Sequence, residues 1–211
     1  MTTRADLDAI AARVDVELPA ELAVALPRLL HILQRFNART NLVGSDTSER
    51  VLHDHVFETL AVAQLVASLG GTPDTVIDVG AGAGMETLVL AALWSQSHFV
   101  AMEPRRKRAD FIEVAADYIG VGRRVEVIRA SLDNRYRGPG FDLATSRATF
   151  APAKWLDLAV QLVGPQSRVV VHGDGGEIAI PDSLNLALLD TMAVTGCDRH
   201  VSVFRPSTSA S

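Results

Sequence analysis

Thr75-Val-Ile-Asp78-Val-Gly80-Ala-Gly82-Ala-Gly84 is the stretch on which the fold turns. An apolar, β-rich run passes into three alternating glycines and then into a helical pattern, Glu86–Trp94. Glycine lets the backbone turn tightly and approach a ligand without a Cβ in the way. The N-terminus of the next helix adds free amides. A dinucleotide fingerprint would place its third glycine one position later, where Met85 stands. A phosphate-gripping loop would continue Gly-Lys-Ser/Thr, which this turn does not. Asp78 beside the turn repels a pyrophosphate and suits a ligand bearing an amine. A second signal closes the next β-rich run, Phe99–Glu103, where Glu103 falls nineteen residues beyond Gly84. An acid about 20 residues on, at the carboxyl end of a second strand, can accept hydrogen bonds from both ribose hydroxyls of a nucleoside. The competing reading of Glu103 is a surface acid capping the Arg106 helix.

Outward from this turn, strand and helix patterns alternate. Thr75–Val79, His98–Met102, Val125–Ile128, Phe141–Thr145 and Arg168–His172 read as strands, and Glu86–Trp94, Arg106–Ile119 and Pro152–Leu162 as helices. That alternation implies an α/β fold, a parallel sheet with helices on both faces. Leu184–Val194 and His200–Phe204 flank a turn at Thr195-Gly196; they read as an edge hairpin, with a helix as the alternative for Leu184–Val194. The chain before Gly71 reads as helical. Leu7, Ile10, Ala11 and Val14 recur at helical spacing; Leu22, Leu26, Leu29, Leu30, Leu33 and Phe36 form a second stripe; and a third helix runs through Val51, His55, Leu60 and Leu65 to Gly70-Gly71. Pro27 is expected to kink or split the second helix. The expected organisation is a helical extension over 1–71 packed on the core, a core over 72–205 and a disordered polar tail over 206–211.

Composition sets the outer bounds. With 211 residues the chain suits one compact domain, and 48% hydrophobic with 21% charged residues excludes a mostly disordered or fibrous chain. No apolar run approaches the roughly 18 residues a bilayer span needs, and Met1–Asp8 is polar and acidic, unlike a secretory signal. Cys197 is the only cysteine, which excludes an intramolecular disulfide and a multi-cysteine metal site. The cytoplasm is the default compartment, and no membrane partner is expected. The formal charge of −5 argues mildly against nucleic acid, yet 18 of the 20 basic residues are arginines and several cluster, as at Arg105, Arg106 and Arg108 with Lys107, at Arg123, Arg124 and Arg129, and at Arg135 and Arg137. A local basic face and a merely solvated surface both remain open.

The glycine turn, its flanking acids and the αβ alternation together resemble the class I S-adenosylmethionine-dependent methyltransferases. That resemblance implies a Rossmann-like sheet of seven strands, the last antiparallel. It also implies a glycine turn under the methionine moiety and Glu103 on the adenosine ribose. A narrower resemblance, spanning nearly the whole chain, is to the bacterial small-subunit rRNA guanine methyltransferases, the glucose-inhibited division protein B family. Its carriers are Phe36-Asn37 with Asn41-Leu42, His55-Val-Phe-Glu58-Thr59-Leu60, Asp78–Gly84, Glu103-Pro-Arg-Arg-Lys107-Arg-Ala-Asp-Phe111, and Phe141-Asp142 with Ser146-Arg147-Ala148. Carried over by position, the cofactor S-adenosyl-L-methionine, or its product S-adenosylhomocysteine (SAH), contacts Asp78, Gly80, Gly82, Gly84, Met85, Glu103, Leu132, Asp133 and Arg147. Arg147 is also the candidate catalytic residue. The implied reaction methylates a guanine ring nitrogen of 16S rRNA, with small-subunit rRNA or the subunit itself as partner.

The sequence departs from the family on the substrate side. Met85-Glu86-Thr87 stands where an aromatic or Leu followed by Pro-Gly is usual, His172-Gly173 where Lys-Gly is usual, and Arg205-Pro206 near a usual Lys. Two alternatives therefore stay open: O- or N-methylation of a small metabolite, with His172 or Glu86 recruited as base, and a cofactor-binding homologue without activity. His172 is otherwise an ordinary strand-end residue. Arg147 is either a functional cation or a paired structural charge. His53 and His55, two apart on a helix, point to different faces and do not suit a shared metal. Trp94 and Trp155 read as packing residues in amphipathic helices, and Cys197 carries no assigned chemistry.

Overall fold

The computed structural model describes residues 20–40, 42, 49–133, 136, 140–174, 176, 178–181, 183–194 and 198–207, with side chains omitted at 39–40 and 49–54. The helix expected around Leu7–Val14, the turn at Thr195-Gly196, the His53 side chain, Arg135, Arg137, Cys197 and the tail from 208 lie outside the described residues and side chains. The described helices are α1 (Ala20–Thr40), α2 (Glu49–Ser68), α3 (Met85–Leu93), α4 (Arg106–Ile119) and α5 (Pro152–Ala159). The strands are β1 (Thr75–Val79), β2 (His98–Met102), β3 (Val125–Ile128), β4 (Phe141–Thr145), β5 (Val163–Gly173), β6 (Leu186–Val194) and β7 (Arg199–Pro206).

All seven strands form one sheet in the order β3-β2-β1-β4-β5-β7-β6. β1 to β5 run parallel, and β7 enters antiparallel between β5 and β6. The ambiguous Leu184–Val194 segment is thus a strand, and the edge hairpin places β6 outermost. Alternating side chains split the core in two. Val76, Phe99, Ala101, Leu143, Val170 and Val203 face α1 to α4. Ile77, Val79, Met102, Ala144, Val169 and Val171 face α5, with Leu132, Phe150 and Ile180 closing over them. The period of two in a strand dictates this division.

Pro27 neither splits nor ends α1, which runs unbroken from Ala20 to Thr40. Proline removes one backbone donor, but Leu22, Leu26, Leu29, Leu30 and Leu33 are all buried on one face, and that burial outweighs the missing bond. β5 begins five residues earlier than its expected start at Arg168, and β7 runs on to Pro206, which the sequence assigns to the tail. Trp94 is the residue after α3 rather than part of it; its amide closes the helix onto the Leu90 carbonyl, and its ring stacks on Phe99.

Two arginines serve structure at the end of the sheet remote from the glycine turn. Arg124 donates to the carbonyls of Ala91, Trp94 and Ser97, capping α3. Arg168, 6% exposed, donates through Nη1 to the carbonyls of Val66 and Gly71 and so ties the end of α2 to β5. No described helix is long and apolar enough to cross a membrane. Arg168→Met should remove both hydrogen bonds that tie the end of α2 to β5 and lower stability by about 1.5–3 kcal/mol. Urea unfolding would read this as a lower midpoint at unchanged slope.

Candidate active site

The carboxyl ends of β1, β2 and β4 open into a cavity of about 590 Å³. The glycine turn forms its floor. The amides of Gly80 and Ala81 both donate to the Met102 carbonyl, at 2.8 and 3.1 Å, which folds the turn across the end of β2. At Gly80 φ is +74°, and a Cβ there would lie 2.1 Å from Thr149 Oγ1. Gly84 N-caps α3 at φ +71°, with a would-be Cβ 2.8 Å from Ile112. A side chain at either position is excluded by both conformation and space.

Glu103, 3% exposed, accepts from the Gly82 amide at 2.9 Å and from the Arg105 amide at 2.8 Å. Glu103 is not the surface acid of the competing reading, although it braces the entry to α4; it also lines the cavity. Each carboxylate oxygen keeps a further lone pair for a diol. Asp78 also lines the cavity, accepts from Thr87 Oγ1 at 2.6 Å, and is pushed up to about 7 by burial and then by the neighbouring charge of Glu86. A ligand ammonium beside it would restore its charge. Over Gly82 a Cβ would meet nothing closer than 4.0 Å, so the space above the turn is open. A carboxylate for a diol, an acid that calls for a cation and an open glycine floor fit S-adenosylmethionine in chemistry and in size.

Behind this cavity runs a buried chain of charge. His172, on β5, places Nδ1 2.9 Å from Glu58 Oε1 of α2 and Nε2 3.1 Å from Glu86 Oε2 of α3. Thr145 Oγ1 donates to Glu86 Oε1 at 2.6 Å. Glu58 Oε2 also pairs with Arg199 Nη1 at 2.9 Å and faces Arg147 Nη1 at 3.6 Å. Burial opposes the charge on each member, and the partners overcome it. His172 is raised to about 9 by Glu86 and Glu58, and Glu58 is lowered to about 2 by His172, Arg147 and Arg199. Glu86 is lowered by His172, Arg147 and Thr145. His172 is therefore an imidazolium with both nitrogens engaged, neither a free base nor an ordinary strand-end residue.

A second cavity, of about 420 Å³, opens beside the first; His55, Arg147 and Ala148 line both. Its wall carries Phe150 stacked on Trp155 at 6.1 Å, with Glu58, His172 and Arg199 across from them. Ala148 is the only described non-glycine residue with positive φ, +54°, a conformation that alanine rarely adopts. Arg105 and Arg108 line the first cavity, with Arg106 and Lys107 exposed beside them.

Of the residues singled out in the sequence, Asp78, Gly80, Gly82, Met85, Glu103 and Arg147 meet at the first cavity. Gly84 supports the turn from beneath. Leu132 packs in the cluster on the α5 face, and Asp133 Oδ1 accepts from the Tyr136 amide; neither is among the described residues lining the cavity. Sequence reasoning missed Glu58 and Arg199. Glu58 had a signal, a single acid within the buried run Val56–Ala63 of α2. Arg199 had none, because β7 brings it to Glu58 across 141 residues.

A glycine turn at the end of β1, an acid after β2 and an antiparallel β7 set between β5 and β6 define a class I methyltransferase. The sequence model of the rRNA small subunit methyltransferase G family (GidB) matches residues 23–177, and the chain belongs to that family of S-adenosylmethionine-dependent methyltransferases. It is 32% identical over 200 residues to the ribosomal RNA small subunit methyltransferase G of Myxococcus xanthus, covering 90% of each chain. It is 32% identical over 140 residues to that of Rhizorhabdus wittichii, covering 66% of this chain and 62% of the relative's length. Among solved structures, the O-methyltransferase from Bacillus cereus in complex with SAH superposes with a TM-score of 0.59 at 20% identity, covering 94% and 96% of the two chains, a likeness of fold. Glu86 and His172, two positions at which the chain departs from the usual family pattern, are in contact with each other.

The shifted groups set a pH dependence. Asp78, an acid raised from 3.8 to about 7, adds stability below pH 3.8 that is gone above about 7. Glu58, lowered from 4.5 to about 2, adds stability above pH 4.5 that is lost as pH falls through about 2. His172, raised from 6.5 to about 9, adds stability that is whole below pH 6.5 and lost as pH rises through about 9. Asp78 completes its titration just above pH 7 and Glu58 titrates far below it, so of these three groups His172 dominates as pH rises toward 9. The thermal midpoint should fall across that window, and His172→Asn should flatten the profile; a fall of the same size in the variant would assign the titration to another group.

Proposed function

We propose that the chain transfers a methyl group from S-adenosylmethionine to a guanine ring nitrogen of small-subunit rRNA. The observation that carries this reading is the pair of adjoining cavities with Arg147 in their common wall. In the first, Asp78 would hold the ligand's ammonium and Glu103 its ribose, with the glycine turn beneath. When bound there, the cofactor supplies an activated methyl on a sulfonium sulfur. The second cavity would take the acceptor, a flat base against Phe150 with cations opposite. Holding the two partners in line and away from water is the chain's main contribution to rate.

The state of His172 bears on the acceptor. Ring nitrogen 7 of guanine attacks through its free lone pair and sheds no proton beforehand, whereas a hydroxyl acceptor, or a ring nitrogen that carries hydrogen, calls for a base. With one ring nitrogen on Glu58 and the other on Glu86, His172 offers no lone pair. Glu86, the other base candidate, accepts from Thr145 through Oε1 and is ion-paired with His172, which lowers its proton affinity and makes it a weak base, although Oε2 makes no hydrogen bond. Both facts favour a lone-pair acceptor. Arg105 to Arg108 border the cofactor cavity and suit backbone phosphates, while Arg124 is spent on α3 at the far end of the sheet.

Two measurements test this reading. Calorimetry should show SAH binding that weakens by about 1–3 kcal/mol in Glu103→Ala, the range for losing a charged acceptor; an unchanged affinity would place the ribose elsewhere. Unmethylated small ribosomal subunits given enzyme and labelled cofactor should gain label on guanine. Cofactor binding without such labelling would shift the reading to a small-molecule acceptor.

A further inference from the structure

Three cations address one carboxylate at the wall between the cavities, and they do not share it equally. Glu58 Oε1 is taken by His172 Nδ1 at 2.9 Å and Oε2 by Arg199 Nη1 at 2.9 Å. Arg147 Nη1 comes only to 3.6 Å from Oε2, is buried, and has no hydrogen-bond partner. A guanidinium with a buried, unbonded donor is costly to keep, so something must hold it there. The backbone on either side is pinned. Ser146 Oγ donates to the Val79 carbonyl at 2.7 Å, Thr149 Oγ1 donates to the Arg147 carbonyl at 3.2 Å, and Ala148 sits at φ +54°. Arg147 is thus fixed at its Cα and unbonded at its tip, in the wall common to both cavities.

We infer that Arg199 is a positioning residue for methyl transfer: by occupying Oε2 of Glu58 it keeps the Arg147 guanidinium from closing onto that carboxylate and leaves it for an electronegative atom of the acceptor. The closure it prevents is short. Arg147 Nη1 needs to advance less than about 1 Å to reach hydrogen-bonding distance of Oε2, and a charge-assisted hydrogen bond to a buried carboxylate is among the strong ones. His172 guards the other oxygen, but it is buried against Glu86 and its removal disturbs more than Glu58. Arg199, with a side chain 46% exposed at the start of β7, can be changed with little damage to the core. The inference rests on the methyl-transfer reading of the second cavity, and one arm of its test is independent of that reading.

The first arm needs neither cofactor nor acceptor. Nitrogen-15 NMR of the arginine side chains, with Arg147 assigned by its loss in Arg147→Lys, reads rotation about the Cζ–Nε bond. Wild-type Arg147 should rotate freely, Arg199→Gln should slow it as Arg147 bonds Oε2 of Glu58, and Glu58→Gln with Arg199→Gln should free it again. A locked Arg147 in the wild type, or unchanged rotation in Arg199→Gln, overturns the inference. The second arm is kinetic, on small ribosomal subunits. Arg199→Gln should raise KM about tenfold, as for a lost charged hydrogen bond, with kcat nearly unchanged. The double variant should recover most of that loss. A residue that merely stabilised the fold would not be rescued by removing a second charge, so an unrescued KM in a folded double variant also overturns it. If the double variant fails to fold, the rotation in Arg199→Gln decides alone. A wild type inactive on subunits sinks the functional reading, while the NMR arm still decides where Arg147 is held.

Discussion

An imidazolium between two buried glutamates is the interaction on which the site depends. His172 comes from β5, Glu58 from α2 and Glu86 from the first turn of α3. Each carboxylate is almost wholly out of water, and an isolated buried charge would be expensive. Paired through one ring, the two become tolerable, and the ring in turn is held charged. Removing one member would strand the others, which is where buried ion pairs do their damage. The chain also joins parts of the molecule that hydrophobic contact alone would leave free to slide. α2 belongs to the N-terminal helices, α3 carries the glycine turn, and β5 adjoins the antiparallel end of the sheet.

The glycine turn supplies the complementary constraint. Its conformation is set from three sides: by the two amides on Met102, by Thr149 packed over Gly80, and by Glu103 accepting from Gly82. A ligand diol would therefore find a carboxylate already oriented by the loop that cradles the rest of the ligand, and little rearrangement is needed on binding. Asp78 adds a different kind of readiness. Burial and Glu86 raise it toward the neutral form, so an arriving ammonium gains a partner whose charge it helps to create.

How much of this was legible depended on how local the physics was. β1, β2, β3, β4 and α4 have the bounds that residue patterning assigns, because alternating burial and helical spacing are written within each segment. Pro27 predicts a kink or a split because its local effect is unfavourable; the leucine stripe that overrides it acts through packing on α3 and α4. Asp78, Gly80, Gly82, Met85 and Glu103 were legible because a turn and a strand end bring them together over a short span. Leu132 and Asp133 enter the candidate site only by position in a family pattern; Leu132 packs on the α5-side core and Asp133 accepts from the Tyr136 amide.

The sequence by itself determined the αβ alternation, the glycine turn with its flanking acids and the family of the chain. The first two follow from backbone conformation and from side-chain periods of two and 3.6 residues, which need only near neighbours; the family follows from the resemblance of its motifs. Only the tertiary structure decided what His172, Glu86, Glu58, Arg147 and Arg199 are. In isolation each is a polar residue with several ordinary roles. Their charge states depend on desolvation and on partners brought within 4 Å from five separate segments, up to 141 residues apart. Coulomb energy in a low-dielectric interior depends on distance in space, which the linear order of residues does not carry.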